Sequence, residues 1–116
     1  MEVEKILRQS MLYDFYGELL TDHQKEIYEQ FILEDLSLGE IARDAGISRQ
    51  GVHDLVKRCD RTLQEYEEKL HLVSRFLTVK EQIHKIREIL DQEPAEDISV
   101  LKSEIRKISD EILEEL

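Results

Sequence analysis

The stretch Ser37–Arg61, SLGEIARDAGISRQGVHDLVKRCDR, decides the fold. Ser37 stands three residues before Glu40, so its hydroxyl can accept from a free amide of a new helix while Glu40 reaches back to the Ser37 amide. That pair predicts a helix starting at Leu38. Ile41 and Ala42 then face inward, and Gly46 follows where a tight turn between helices needs a residue that tolerates positive φ. Ser48 is a second cap, after which Val52, Leu55, Val56 and Cys59 recur at helical spacing as a buried stripe. Any helical hairpin can show a cap, a glycine and a stripe. The small Ala42 at the crossing, and the polar set Arg49, Gln50, His53, Asp54 and Lys57 on the outward face, point instead to a helix-turn-helix whose second helix meets a groove.

Outward from this core, 116 residues allow one domain, or a small domain with an extension. Hydrophobic residues are 41% and aromatics 6%, with one Pro and four Gly, too few turn residues for a β-sandwich. Charged residues reach 37%, the range of amphipathic helices, so an all-α fold is expected. The single cysteine excludes an internal disulfide framework and fits a reducing compartment. No apolar run approaches the ~20 residues that span a bilayer, and MEVEKILRQS lacks a signal-peptide pattern. A cytoplasmic protein with no membrane partner is expected.

The net charge of -11 speaks against coating nucleic acid with the whole surface, because neutralising phosphates takes clustered Lys and Arg. Its distribution is uneven. Between Leu38 and Thr62, Arg43, Arg49, Lys57, Arg58 and Arg61 outnumber Glu40, Asp44, Asp54 and Asp60 by one, while both flanks are acidic.

Residues 2–20 read as a first helix with Ile6, Leu7, Met11, Leu12, Phe15, Tyr16 and Leu19 on a broad apolar face, and Gly17 as a point where it can break. Tyr13 and Tyr16 are packing residues on this reading, since no basic residue is interleaved for base stacking. Thr21 with Gln24 is a second capping box, starting a helix with Ile27, Tyr28, Phe31 and Ile32 that runs to about Glu34. It supplies the third wall that a helix-turn-helix needs to bury its two helices.

Beyond Cys59 the apolar series Leu63, Tyr66, Leu70, Val73, Leu77 gives way to a second frame, Leu72, Phe76, Val79, Ile83, Ile86, Leu90. Either the helix breaks between 70 and 76, or one long helix hands its contact to another partner. Pro94 ends this segment, and Ile98, Leu101, Ile105, Ile108 and Ile112 give a last heptad-spaced helix that should pair with it in antiparallel fashion. Val73, Ile89, Val100, Leu113 and Leu116 are left to spare. The two frames Leu72, Phe76, Val79, Ile83, Ile86, Leu90 and Ile98, Leu101, Ile105, Ile108, Ile112 therefore form a candidate interface, most simply with a second copy; the alternative folds the hairpin back onto the first helix. The division expected is a helix-turn-helix domain at 1–69, with the motif at 38–61, and a helical dimerisation extension at 70–116.

Catalytic and metal chemistry finds no support. His23, His53, His71 and His84 lack paired ligand spacing, and Glu81 with His84 occurs once where a di-iron bundle needs a repeat. Cys59 lies on the apolar stripe as a small hydrophobe. No glycine-rich phosphate loop, nucleophile elbow or HExxH motif occurs. Neither an enzyme nor a cofactor is expected.

The segment from Thr21 to about Lys69, a capped helix and then a helix-turn-helix whose second helix opens Ser-Arg, resembles region four of bacterial sigma factors. It departs from that pattern at Gly51, His53 and Asp54. With its opening MLYDFYGELLT, the stretch SLGEIARDAGISRQGVHDLVKR and the acidic tail, the whole chain resembles the small bacterial YlxM-like proteins. The resemblance implies a DNA-binding type of domain with a C-terminal helical dimerisation part, in a family of regulators linked to the signal recognition particle pathway.

As a DNA reader the chain would place Gln50 for a bidentate contact to adenine and Arg49 on guanine or phosphate. Ser48, Arg43, Lys57, Arg58 and Arg61 would hold the backbone, and His53 and Asp54 could read a base edge. Asp54 could equally repel a wrong site, or pair with Lys57 or Arg58 at i+3 and i+4. The alternative is a protein-interaction module that binds a component of the signal recognition particle pathway, a reading the acidity favours. A third places the basic residues on structured RNA, though no stacking aromatics support it.

Overall fold

The computed structural model describes residues 2–92 and 97–116; Pro94, expected to end a helix, lies outside them. Among the described residues the chain is all α, with no strand. The elements are α1 (Glu2–Tyr16), a 3-10 turn (Gly17–Leu19), α2 (Asp22–Ile32), α3 (Leu38–Ala45), α4 (Arg49–Leu70), α5 (Leu72–Asp91) and α6 (Ile98–Glu115). They form two compact units, Met1–His71 and Leu72–Leu116.

In the first unit α1, α2 and α3 all pack against α4. Val52, Val56, Cys59 and Leu63 of α4 are buried, as are Leu12, Tyr16, Leu20, Ile27, Tyr28, Ile32 and Ile41 of the elements before it. The first helix is shorter than its pattern suggested, ending at Tyr16 in the 3-10 turn, where the Tyr13 ring lies over Gly17. Its apolar face is also narrower than expected. Leu12 and Tyr16 are buried, whereas Ile6, Leu7, Phe15 and Leu19 are exposed, Leu7 by 64%. A helix that packs on one side only buries a single stripe.

Thr21 caps α2 through a reciprocal capping box with Gln24. The helix ends at Ile32, two residues before the expected Glu34, and the chain turns through Asp35 at φ 55. Aspartate is among the few non-glycine residues that adopt this conformation readily.

The core contains a layer of phenol–carboxylate hydrogen bonds. The Tyr28 hydroxyl donates to Asp60 Oδ1 at 2.5 Å, and Gln9 Nε2 donates to the two oxygens of the same carboxylate at 2.9 and 3.0 Å. Tyr16 donates to Glu67 at 2.5 Å, and Tyr13 to Glu29. Burial, reinforced by the acceptor beside each ring, raises the Tyr13 and Tyr28 phenols well above the ordinary tyrosine range. They therefore stay protonated donors. Burial likewise pushes the Cys59 thiol up to about 11, leaving it inert packing.

The frame change beyond Leu70 is a helix break. His71, at φ 57, caps α4 in the left-handed region with its amide on Glu67 O at 2.9 Å, and α5 starts at the next residue. In the second unit α5 and α6 pack together. Asp97 caps α6 by accepting from the Ser99 amide at 2.9 Å, which lowers its carboxyl below the usual range. Of the two heptad stripes Ile108 is buried, and Val79, Ile86, Leu101, Ile105 and Ile112 are half-buried. Leu72, Phe76, Ile83, Leu90 and Ile98 remain exposed.

Replacing Tyr28 by Phe keeps the ring and removes the donor to Asp60. A hydrogen bond to a charged acceptor contributes about 1.5–3 kcal/mol, so Y28F should lower the urea unfolding free energy by about that amount. A loss under about 0.5 kcal/mol would place the phenol outside the stabilising network.

Candidate nucleic-acid interface

Local rules position the α3–turn–α4 unit. Ser37 Oγ accepts from the Glu40 amide at 3.1 Å and the Glu40 carboxylate accepts from the Ser37 amide at 3.2 Å. The Ser37 backbone, and then its hydroxyl, hold that carboxyl below its usual range. α3 ends at Gly46, φ 71 and ψ 29, with the amides of Gly46 and Ile47 both on Ala42 O at 2.9 and 3.1 Å. A side chain there would meet the left-handed penalty, and glycine does not. Ser48 then caps α4 by accepting from the Gly51 amide at 2.9 Å.

Gly51 has a local reason that sequence reading missed. A Cβ there would lie 3.1 Å from Ser48 Oγ, so glycine leaves room for the cap. Ile41 and Val52 are fully buried and Ala42 nearly so, which lets α3 and α4 close on each other.

The outward face of α4 is set by this packing. With Val52, Val56, Cys59 and Leu63 turned in, Arg49, Gln50, His53, Asp54, Lys57, Arg58 and Arg61 are all exposed, as are Ser48 and Arg43 of α3. Leu38, Arg49, Gln50 and His53 line an open depression at the start of α4. His53 and Lys57 also rim a cleft of about 340 Å³ whose wall includes Ile6, Phe31, Ile32, Leu38 and Val56. Asp60, although on the same helix, has its carboxylate committed to Tyr28 and Gln9.

Asp54 pairs elsewhere than with Lys57 or Arg58. Its Oδ1 accepts from Gln50 Nε2 at 2.9 Å, and His53 Nδ1 stands 3.6 Å from the same oxygen. The signal was present in the sequence, since Gln and Asp four residues apart on a helix hydrogen-bond.

Among the described residues no group of three His, Cys, Asp or Glu is placed to hold a metal ion. Glu81 and His84 are both exposed. No described helix is long and apolar enough to cross a membrane.

Residues 3–108 match the model of the UPF0122 family, described as "Putative helix-turn-helix protein, YlxM / p13 like". The chain belongs to the UPF0122 family. A UPF0122 protein of Thermoanaerobacter sp. (strain X514) is 44% identical over 113 residues, covering 96% of each chain. The UPF0122 protein YlxM of Bacillus subtilis (strain 168) is 40% identical over 109 residues, 93% of this chain and 99% of its own. One from Caldanaerobacter subterraneus is 49% identical over 87 residues, covering 75% of this chain and 74% of its own. The family match spans the helix-turn-helix and most of α6, and so both compact units of this UPF0122 protein.

The left-handed turn supplies a direct test of the motif. Gly46→Ala should cost about 1–2 kcal/mol in urea unfolding while the helical circular dichroism of the folded state is kept. An unchanged midpoint would mean that the turn is not fixed in this conformation.

Proposed function

We propose that this UPF0122 protein is a DNA-binding regulator that uses α4 as its recognition helix. The observation that carries the reading is the exposed row Arg49, Gln50, His53, Lys57, Arg58 and Arg61 on a helix whose opposite stripe is locked in the core. A helix held this way can enter a major groove without exposing its packing residues. Ser48, Arg43, Lys57, Arg58 and Arg61 contact phosphates, Gln50 reads adenine, Arg49 takes guanine or phosphate, and His53 and Asp54 lie at the base edges. Its residues 1–69 act as the DNA-binding part, in the cytoplasm. The link to the signal recognition particle pathway comes with the family resemblance.

The second part of the proposal is a homodimer formed through 70–116. Leu72, Phe76, Ile83, Leu90 and Ile98 are exposed at heptad spacing, flanking the half-buried Val79, Ile86, Leu101, Ile105 and Ile112. A second copy offers the same stripe, and pairing doubles the phosphate contacts of a weakly basic reader. The net charge of -11 favours a second reading, in which the same chain docks on a basic protein of the pathway.

Selection from a random DNA pool at low and moderate salt tests the DNA reading. The wild type should enrich a palindrome. Gln50→Ala should relax preference at one position by about 1–3 kcal/mol, and Lys57→Ala should weaken all sequences and lessen the salt slope by about one. No enrichment, with unchanged binding in both variants, removes the groove model and leaves the protein-docking one. For the dimer, Ile83→Glu with Ile98→Glu should halve the mass in sedimentation equilibrium; a wild type that is a monomer at tens of micromolar would refute it.

A further inference from the structure

We infer that Asp54 is a positioning residue that makes Gln50 an adenine reader, and that it lowers affinity for DNA in general in exchange for that discrimination. The inference rests on the DNA-binding reading of α4. Its observation is the bond from Gln50 Nε2 to Asp54 Oδ1 at 2.9 Å, between two exposed side chains one helical turn apart.

A glutamine amide is ambiguous on its own. Turned by half a revolution about its last torsion, it swaps a donor for an acceptor at nearly the same place. Free in solvent, Gln50 would present either end to a base. A carboxylate removes the ambiguity because it can only accept, so the amide nitrogen must lie against Asp54 and Oε1 at the other end. One N–H is then spent on Asp54, leaving the second N–H and Oε1 side by side. That is the pair adenine matches in the major groove, where N7 accepts and N6 donates. His53 Nδ1 stands 3.6 Å from the same Oδ1.

The cost lies in charge. Asp54 is 59% exposed on its side chain and shares its face with Arg49, Lys57 and Arg58, the residues that meet phosphates in the proposed complex. A negative group there is repelled by the backbone of every sequence alike. Orientation and repulsion therefore act in opposite directions, which a merely structural aspartate would not produce. Asp54 is too exposed to serve the core, and a different carboxylate of the same helix, Asp60, already ties α4 to α1 and α2.

The test compares wild type, Asp54→Asn, Gln50→Ala and the double variant in pool selection, followed by titration of the best duplex and of an unrelated one. Asparagine keeps the shape, removes the charge and can face Gln50 with either end. Asp54→Asn should bind the unrelated duplex about threefold or more tightly, while the preference for adenine at the Gln50 position falls from about tenfold to under threefold. The double variant should lose no more preference than Gln50→Ala alone, because both act at one base. Asp54→Asn that keeps the adenine preference overturns the inference and leaves DNA binding standing. So does a loss at a different base from the one Gln50 reads, which would make Asp54 a direct reader. A wild type that enriches no sequence overturns both the inference and the reading beneath it. Matching thermal melts of the four proteins exclude unfolding as the cause.

Discussion

One carboxylate holds the first unit in register. Asp60 sits midway along α4 and takes a hydroxyl from Tyr28 of α2 and an amide from Gln9 of α1, so three helices converge on one acceptor pair. Apolar packing alone would tolerate some rotation of α4 about its axis, since dispersion contacts have little directionality. Hydrogen bonds to a fixed carboxylate do not. With Asp60 pinned inward, Cys59 and Leu63 fall into the core and Lys57, Arg58 and Arg61 must face out. The inward clamp therefore reinforces the orientation that the buried apolar stripe gives the outward row, before any ligand is considered.

The second constraint fixes the start of α4. Ser37, Gly46, Ser48 and Gly51 each settle one backbone conformation or one orphan amide. Because α3 is only eight residues long, it has little stability of its own and depends on its caps and on burying Ile41 and Ala42. Cap, turn and small crossing residue agree with one another, which is the consistency that allows a short helix to be specified.

That consistency explains what could be read from sequence. The helix start at Leu38, the glycine turn and the cap at Ser48 follow from local chemistry within four residues, and they stand where the pattern put them. The exposed row on α4 was legible for the same reason, since it is the complement of a periodic stripe. Three features were not. Asp35 and His71 adopt left-handed φ although neither is glycine, so the exact end of α2 and the choice between a break and a continuous helix after Leu70 had no punctuation to decide them. The phenol–carboxylate layer joins residues 16 to 51 positions apart, and no local pattern announces such pairs. Ile6 and Leu7 look like core and are exposed, because apolar periodicity says which residues share a face and not how much of that face a neighbour covers.

Charge bears on the candidate site in a way the local geometry does not. Charges separated by more than the Debye length of about 8 Å at physiological salt are largely screened, so for a chain of net charge -11 it is the groups brought close that decide whether DNA attracts or repels it. On the proposed reading, the exposed cations of α4 act at contact range while the acidic remainder suppresses loose, sequence-independent association. A reader built this way gains little from long-range steering and must rely on fit within the groove. Fit in turn requires that the helix bearing the contacts not rotate or slide, which returns the demand to Asp60 and the two donors that hold it.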